Sequence, residues 1–168
     1  AQKSGLSDEF IANNEQRVRS GFMQNLAASA AYSSGFFSSQ YLPLSESIFI
    51  SEAQVIRDIA AKESAVIVGR CADYVLRDDP NVALVNLFVH APLAARIRRE
   101  SARTNTTPAE AEKRIRQVDK ERAAYYNFFS SKRWGDAQAY DLCVNTDGLE
   151  ISEVAKLVLR YLELRGLR

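Results

Sequence analysis

The chain has 168 residues, of which 46% are hydrophobic and 26% are charged, and its formal net charge is +1 at pH 7. This composition is ordinary for a globular domain with a hydrophobic core, so it excludes disordered and fibrous chains. The single histidine excludes a His-rich metal site. Because the sequence shows no signal peptide and no apolar stretch of membrane-spanning length, it predicts a cytoplasmic protein with no membrane partner.

The basic residues are concentrated in one part of the chain. Residues 96–133 contain eleven Lys and Arg against five Asp and Glu, and the remaining residues are net acidic. A basic segment on an acidic body predicts a local anion site rather than a general nucleic-acid surface. A pair of exposed helices with solvated charges explains the same pattern, and charge alone favours that simpler interpretation.

The amino-terminal part of the chain is predicted to be helical, with one loop. Ser7 is a candidate N-cap, and residues 22–31 are compatible with a helix. Residues 32–47 are rich in serine and predict a loop. An apolar stripe at helical spacing predicts a further helix at residues 48–62.

Three apolar runs predict the strands of a sheet. Residues 65–68 and 82–89 are rich in valine and do not alternate with polar residues, which is typical of strands buried on both faces. Residues 140–144 form the third run, and Cys143 within it is expected to be a buried small hydrophobic residue. A short helix is predicted at residues 71–76, directly after the first strand.

Helices are predicted after the second strand and at the end of the chain. Pro92 suits the first turn of a helix. Thr107 as N-cap and Pro108 at the first helical position start a longer helix that extends to about Phe128. An amphipathic helix follows from Ile151. Helices that alternate with strands predict an α/β fold with parallel crossovers.

Polar residues follow the first two predicted strands. In open parallel sheets, ligands bind beyond the carboxyl ends of the strands. Arg70 and Asp73 follow the first strand, and Arg96 and Arg99 follow the second and share one helix face. We therefore consider these four residues candidate binding residues. A helix-terminal charge at Asp73 and solvated arginines at positions 96 and 99 explain the pattern equally well.

Three stretches of the chain together resemble the cytidylate kinase-like family. They are residues 66–76 (VIVGRCADYVL), residues 119–126 (DKERAAYY) and residues 134–146, which begin with WGD and end with YDLCVNT. Their order along the chain makes the resemblance more specific than any one stretch alone. It covers most of the chain, from about Ser4 to the carboxyl end.

The resemblance implies a fold and an activity. Members of the family have a P-loop kinase-like three-layer fold, in which a parallel sheet is flanked by helices and carries a basic helical lid. In this chain the lid corresponds to residues 93–133 of a single kinase-like domain over residues 1–168. The implied reaction transfers the γ-phosphoryl group of ATP, with Mg²⁺ as cofactor, to a nucleoside monophosphate, first of all CMP or dCMP.

The resemblance also implies roles for individual residues. Arg70 matches the arginine that contacts the acceptor nucleotide. Asp73 is its candidate partner in substrate binding, because Cys71 stands where cytidylate kinase has an aspartate. Guanidinium groups bind phosphates with two parallel hydrogen bonds. The lid is expected to carry the residues that neutralise the transferring group and orient one another: Arg96, Arg99, Asp119 and Arg122.

Simpler explanations apply to the lid residues as well. Asp119 is expected to hold Arg122, which lies three residues further along the same helix. A surface ion pair of little energetic value explains this spacing too. Tyr125, Tyr126 and Phe128 are expected to pack against the protein rather than stack on a base, and no side chain is predicted to bind a metal ion.

One part of the family's pattern is missing from the sequence. No Gly-x-x-x-x-Gly-Lys-Ser/Thr motif stands among these residues, and the seven glycines are scattered. The family's fold begins with a strand and such a loop, so we expect the first strand and the P-loop to be absent from this chain. The alternative function is therefore a non-catalytic nucleotide-sensing or protein-interaction domain derived from a kinase. A nucleic-acid binder that uses the basic helices is a weaker third hypothesis.

Overall fold

The computed structural model describes residues 44–167. The predictions on Ser7, on residues 22–31 and on residues 32–43 of the Ser-rich loop lie outside the described residues. Within the described range, the elements follow one another in this order: α1 (Leu44–Ala60), α2 (Ala72–Leu76), β1 (Leu87–His90), α3 (Leu93–Thr104), α4 (Pro108–Ser130), a 3₁₀ turn (Ala137–Ala139), β2 (Leu142–Asn145) and α5 (Ile151–Leu164).

The described residues form two compact units. The first unit comprises residues 44–82 and 121–132, and the second comprises residues 83–120 and 133–167. Helix α4 therefore contributes its part up to Lys120 to the second unit and the rest to the first. None of the described helices is apolar over a length sufficient to cross a membrane.

Helix α1 confirms the helix predicted from the apolar stripe, but of that stripe it buries only Ile56, and Val55 is 41% exposed. Ala53 and Ile56 are buried, as is Leu76 of α2, which packs beside α1. The helix begins at Leu44 rather than at residue 48, so the prediction of a loop over residues 44–47 is wrong. Glu46 in the first turn favours this early start, because a carboxylate complements the partial positive charge at a helix amino end.

Residues 65–68 do not form the buried strand that the sequence predicts. They have no regular secondary structure, and the side chains of Val66 and Val68 are 95% and 87% exposed. A strand exists only where its backbone groups pair with those of a neighbour. In the part of the chain that the structure describes, no strand pairs with this segment, so its apolar sequence alone does not make it a strand.

The sheet of the described residues lies in the second unit and consists of β1 and β2. The two strands are parallel, with Leu87 opposite Leu142 and His90 opposite Asn145, which confirms the predicted parallel crossover. The strand predicted over residues 82–89 is shorter than expected. The N–H of Asn86, just before β1, donates to the carboxylate of Asp141 at 2.7 Å, and regular pairing with β2 starts at Leu87.

Cys143 is exposed, and the prediction of a buried cysteine is wrong. Successive side chains of a strand point to opposite faces of the sheet. Val144 lies on the buried face of β2, so Cys143 and Asn145 on either side of it lie on the exposed face. The apolar run around Cys143 did not reveal this, because the sheet is covered on one face only at this position.

The boundary between α3 and α4 follows the predicted capping residues. The N–H of Thr107 donates to the Glu110 carboxylate at 2.9 Å, and the N–H of Glu110 donates to the Thr107 hydroxyl at 3.3 Å. This reciprocal cap satisfies two helix-terminal donors. The Thr107 hydroxyl also donates to the Glu110 carboxylate at 2.7 Å, and this bond, together with that from the Thr107 N–H, lowers the pKa of Glu110. Ala111 and Ile115, one turn and two turns further along α4, are buried in the second unit.

Candidate functional site

Arg70 lies in a left-handed turn of the first unit. Gly69, Arg70 and Cys71 have φ angles of 73°, 58° and 52°, and the N–H of Ala72 closes the turn on the carbonyl of Gly69 at 3.2 Å. The left-handed conformation costs a residue with a side chain about 1–2 kcal/mol. Two consecutive residues of this kind persist only where neighbouring contacts hold them, and such strain concentrates at functional sites.

Glu52 of α1 holds the side chain of Arg70. One nitrogen of the Arg70 guanidinium donates to Oε1 of Glu52 at 2.6 Å, and the hydroxyl of Tyr125 donates to Oε2 at 3.2 Å. The side chains of Arg70 and Glu52 are 29% and 20% exposed, so water screens the ion pair only in part. Glu52 thus connects the left-handed turn with α4.

Asp73, the first acid after the turn, is engaged by the end of α4. The Tyr126 hydroxyl donates to its carboxylate at 2.7 Å, and Nζ of Lys132 approaches the same oxygen at 3.4 Å. Tyr126 is buried, and its carbonyl accepts a hydrogen bond from the hydroxyl of the buried Ser130. Through these contacts Asp73, which belongs to α2, links α2 to the end of α4.

Burial, with the nearby acids as lesser causes, raises the pKa of Cys71 and of Tyr125. Burial, reinforced by the charges of Asp73 and Glu52, raises the pKa of the Cys71 thiol to about 12. Burial, with Glu52 as the next cause, also raises the pKa of the Tyr125 hydroxyl. Both groups therefore keep their protons near neutral pH, which excludes Cys71 as a thiolate nucleophile and leaves Tyr125 as a hydrogen-bond donor.

Tyr125 and Tyr126 of α4 pack as the sequence predicts and also bind the acids, whereas Phe128 is 45% exposed. The ring of Phe129 stacks on Phe49 of α1 with centroids 4.2 Å apart, and Tyr125 contacts Phe129 with centroids 4.8 Å apart. Tyr126 is only 8% exposed. The hydroxyl groups of Tyr125 and Tyr126 also donate to Glu52 and Asp73, respectively, and the packing prediction did not include this role.

Arg96 and Asp119 form a two-pronged ion pair in the second unit. Two nitrogens of Arg96 on α3 donate to the two carboxylate oxygens of Asp119 on α4, each at 2.7 Å. This hydrogen bonding raises the pKa of Arg96. Within residues 44–167, Asp119 is therefore bonded to Arg96 rather than to Arg122, because the fork of a guanidinium on a facing helix matches both oxygens at once.

Arg99 lies beyond the carboxyl ends of both strands. Its guanidinium donates to the hydroxyl of Thr146 at 3.0 Å and to the carbonyl of the same residue at 2.5 Å. The N–H of Thr146 in turn donates to the carbonyl of His90, the last residue of β1, at 2.8 Å. Arg98, one residue earlier, approaches Asp147 at 3.6 Å. Helix α3 is thus fastened to the end of the sheet where ligands bind in parallel folds.

The predicted site residues fall into two groups. Arg70 and Asp73 lie around the turn of the first unit, and Arg122 is exposed on the part of α4 that belongs to that unit. Arg96, Arg99 and Asp119 lie in the second unit. Sequence reasoning missed four contact residues of the first group: Glu52, Tyr125, Tyr126 and Lys132. No spacing rule connects Glu52 with a residue 18 positions away, so a signal for this contact was not present in the sequence.

The described residues offer no evident metal site of their own. Among them, no three side chains of the types His, Cys, Asp and Glu come together in a way that could hold a metal ion. Each of the two groups instead combines arginines with carboxylates, and the first group adds tyrosines. Arginines suit anionic groups, and in each group a carboxylate holds one arginine in place.

The sequence of the chain is similar to those of known proteins. The model of the cytidylate kinase-like family matches residues 1–148. A cytidylate kinase of Saccharolobus islandicus is 26% identical over 117 residues, which are 67% of this chain and 58% of that protein. The cytidylate kinase of another strain of the same organism is 26% identical over 115 residues, 66% of this chain and 57% of its own length. The chain thus spans less than two thirds of these curated relatives.

A solved structure is similar as well. It is an uncharacterized protein from Eubacterium ventriosum, with a TM-score of 0.64 and 29% sequence identity. The match covers 71% of this chain and 74% of the other. The fold of this chain is therefore similar to that of a solved protein over most of the length of both.

Proposed function

Since the chain belongs to the cytidylate kinase-like family, we propose that it contributes to ATP-dependent phosphorylation of a nucleoside monophosphate, with CMP or dCMP as the first candidate acceptor. The proposal rests on one observation: Arg70 lies on a strained turn, and the carboxylate of Glu52 holds its side chain. Arginine in such a place suits the phosphate of an acceptor nucleotide. Asp73 assists by fastening the helix that follows the turn.

The proposed mechanism relies on positioning and charge. Phosphoryl transfer needs in-line alignment and neutralisation of the transferring group more than covalent help, and a phosphate acceptor is already anionic, so it needs no strong base. We assign the neutralising role to the lid arginines, and we assign Asp119 to holding Arg96 rather than Arg122. A lid that closes over the reacting groups also limits hydrolysis of the donor by water. The lid residues are Arg96, Arg99, Asp119 and Arg122.

The same proposal includes a P-loop kinase-like three-layer fold, a single domain over residues 1–168 and a lid at residues 93–133. ATP and Mg²⁺ are the cofactors that the family implies. The residues present do not fit them, because the sequence contains no Gly-rich phosphate loop and the described residues contain no acidic cluster for a metal. We therefore derive no step through either cofactor, and our proposal concerns the acceptor and lid parts of the reaction.

Titration calorimetry with CMP, dCMP, UMP, AMP and ATP tests the proposal. We expect CMP or dCMP to bind the chain, and we expect Arg70→Ala to weaken that binding at least about tenfold, because a charged hydrogen bond to phosphate is lost. Arg57→Ala is the matched control, since Arg57 is an exposed arginine at the end of α1. A folded chain that binds no monophosphate would contradict the proposal.

A second candidate is a nucleotide-sensing or protein-interaction domain without catalysis. The observation that favours it is the lack of a phosphate-loop motif among the 168 residues. This hypothesis also predicts monophosphate binding, but no formation of ADP from ATP in the presence of the acceptor. A coupled assay for ADP distinguishes the two functions when it is run on the reading frame extended upstream of Ala1, because the residues present do not fit ATP by themselves.

A further inference from the structure

We propose that Glu52 is a positioning residue, which holds the guanidinium of Arg70 in the orientation that binds the phosphate of the acceptor nucleotide. This inference rests on the proposed function and adds to it a residue that the family motifs do not contain. Its basis is the hydrogen bond of 2.6 Å between Arg70 and Oε1 of Glu52. The bond joins a flexible side chain on an irregular turn to a regular helix.

Glu52 is well placed to act as a fixed support. Its neighbour Ala53 is buried in the first unit, as is Ile56 one turn further along α1, so this part of the helix is held by packing. Arg70, by contrast, lies on a turn outside regular secondary structure, between two residues with positive φ. An arginine side chain has many rotamers, so a fixed carboxylate that selects one of them lowers the entropy lost when a phosphate binds.

The second oxygen of Glu52 is fixed from another direction. Tyr125 donates to Oε2 at 3.2 Å, and the Tyr125 ring is itself packed against Phe129. The raised pKa of Tyr125 keeps this hydroxyl protonated, so it remains a donor throughout the neutral range. Glu52 is therefore oriented by a hydrogen bond on each oxygen.

Because Glu52 is negatively charged, two effects on Arg70 can be distinguished: positioning of its guanidinium and neutralisation of its charge. A carboxylate repels a phosphate, so Glu52 does not bind the acceptor itself. If its only effect were to neutralise Arg70, its removal would strengthen the binding of an anion. If it positions Arg70, its removal weakens that binding although a negative charge has been lost. Glu52→Gln therefore gives opposite results under the two interpretations.

The experiment measures the affinities of the full chain for CMP and for cytidine, which lacks the phosphate. We expect Glu52→Gln to weaken CMP binding about tenfold, the usual size for loss of one charge-assisted hydrogen bond, and to leave cytidine binding unchanged. Glu52→Asp keeps the charge but shortens the side chain, so it is expected to weaken CMP binding as well. In the double variant with Arg70→Ala, Glu52→Gln adds no further loss.

Matched variants separate this role from a structural one. Glu63→Gln removes the same charge from an exposed position shortly after α1 and is expected to leave both affinities unchanged. Urea unfolding establishes that each variant is folded. If Glu52→Gln does not fold, Tyr125→Phe takes its place, because it removes the hydrogen bond to Oε2 of Glu52 and keeps the ring; we expect about a threefold loss of CMP affinity.

Each of the following results would contradict the inference. Unchanged or tighter CMP binding by Glu52→Gln shows that Glu52 does not position Arg70. Parallel losses for CMP and cytidine, or losses that add to those of Arg70→Ala, show a structural role. If the wild-type chain binds CMP and Arg70→Ala weakens that binding while Glu52→Gln does not, the proposed function stands without this inference. If the folded wild-type chain binds no monophosphate, both fail.

Discussion

Arg96 and Asp119 are joined by two hydrogen bonds of 2.7 Å each, which fasten α3 to α4 within the second unit. The two side chains are 32% and 26% exposed, so this pair is neither buried nor fully solvated. A guanidinium held at both prongs keeps one orientation at a small entropic cost. The pair therefore fixes the orientation of Arg96, and its strength can be measured.

A double-mutant cycle on Arg96→Ala and Asp119→Asn measures that strength. We expect a coupling of about 1 kcal/mol in the free energy of unfolding, because the geometry is bidentate although the pair is partly exposed. Urea unfolding of the two single variants and the double variant gives the value. The exposed pair Glu112 and Arg116, on one turn of α4, is the control and is expected to give about 0.3 kcal/mol. Equal couplings for the two pairs would contradict the prediction.

Tyr126→Phe tests the fastening of α2 to α4. The variant keeps the buried ring and removes the hydroxyl that donates to Asp73 at 2.7 Å. We expect the free energy of unfolding to fall by about 1–2 kcal/mol, since a mostly buried carboxylate loses a donor. In Tyr161→Phe the lost hydroxyl contacts the exposed Arg165, so the change is expected to stay below about 0.5 kcal/mol. A loss for Tyr126→Phe no larger than this control value would refute the fastening role.

The two cysteines are expected to react differently with a thiol reagent. Cys71 is buried and its pKa is raised to about 12, so almost none of it is thiolate at pH 8. Cys143 is exposed on the sheet. A chromogenic disulfide reagent should therefore modify one thiol rapidly in the folded chain and the second only in denaturant. Rapid modification of both thiols, with the unfolding transition unchanged, would show that Cys71 is accessible.

The same shift predicts how stability depends on alkaline pH. The pKa of Cys71 is higher in the folded chain than the ordinary value of 9.0, so between 9 and about 12 the unfolded chain loses a proton that the folded chain keeps. The contribution of this residue to stability is thus complete below pH 9 and falls as the pH rises. Cys71→Ala removes that contribution, and its unfolding free energy should decline less steeply with pH than that of the wild type.

Gly135 and Gly148 provide a matched test of a close contact. Both have positive φ, 77° and 78°, so alanine costs each about 1 kcal/mol. A Cβ on Gly135 would also lie 3.3 Å from the ring of Phe88, whereas one on Gly148 would meet nothing within 4 Å. The Phe88 ring is held against Trp134, with centroids 5.6 Å apart. We therefore expect Gly135→Ala to lower the free energy of unfolding by about 1 kcal/mol more than Gly148→Ala; equal effects would show that the ring yields.

Local signals predicted most of the helices. The apolar stripe of α1, the reciprocal cap of Thr107 and Glu110 and the amphipathic pattern after Ile151 each depend on residues within one or two turns of one another, so they can be recognised in the sequence. The strand predicted at residues 65–68 failed for the opposite reason. Pairing depends on a distant neighbour, which an apolar run does not reveal.

The sequence by itself determined the α/β class, the parallel crossover between β1 and β2, and the family, because these follow from periodicity and from motifs that are read along the chain. Only the tertiary structure decided which carboxylate pairs with which arginine. Arg70 pairs with Glu52, and Asp119 pairs with Arg96 instead of Arg122. Ion pairs between elements are set by how those elements pack, and that packing follows from many weak contacts that no short stretch of sequence specifies.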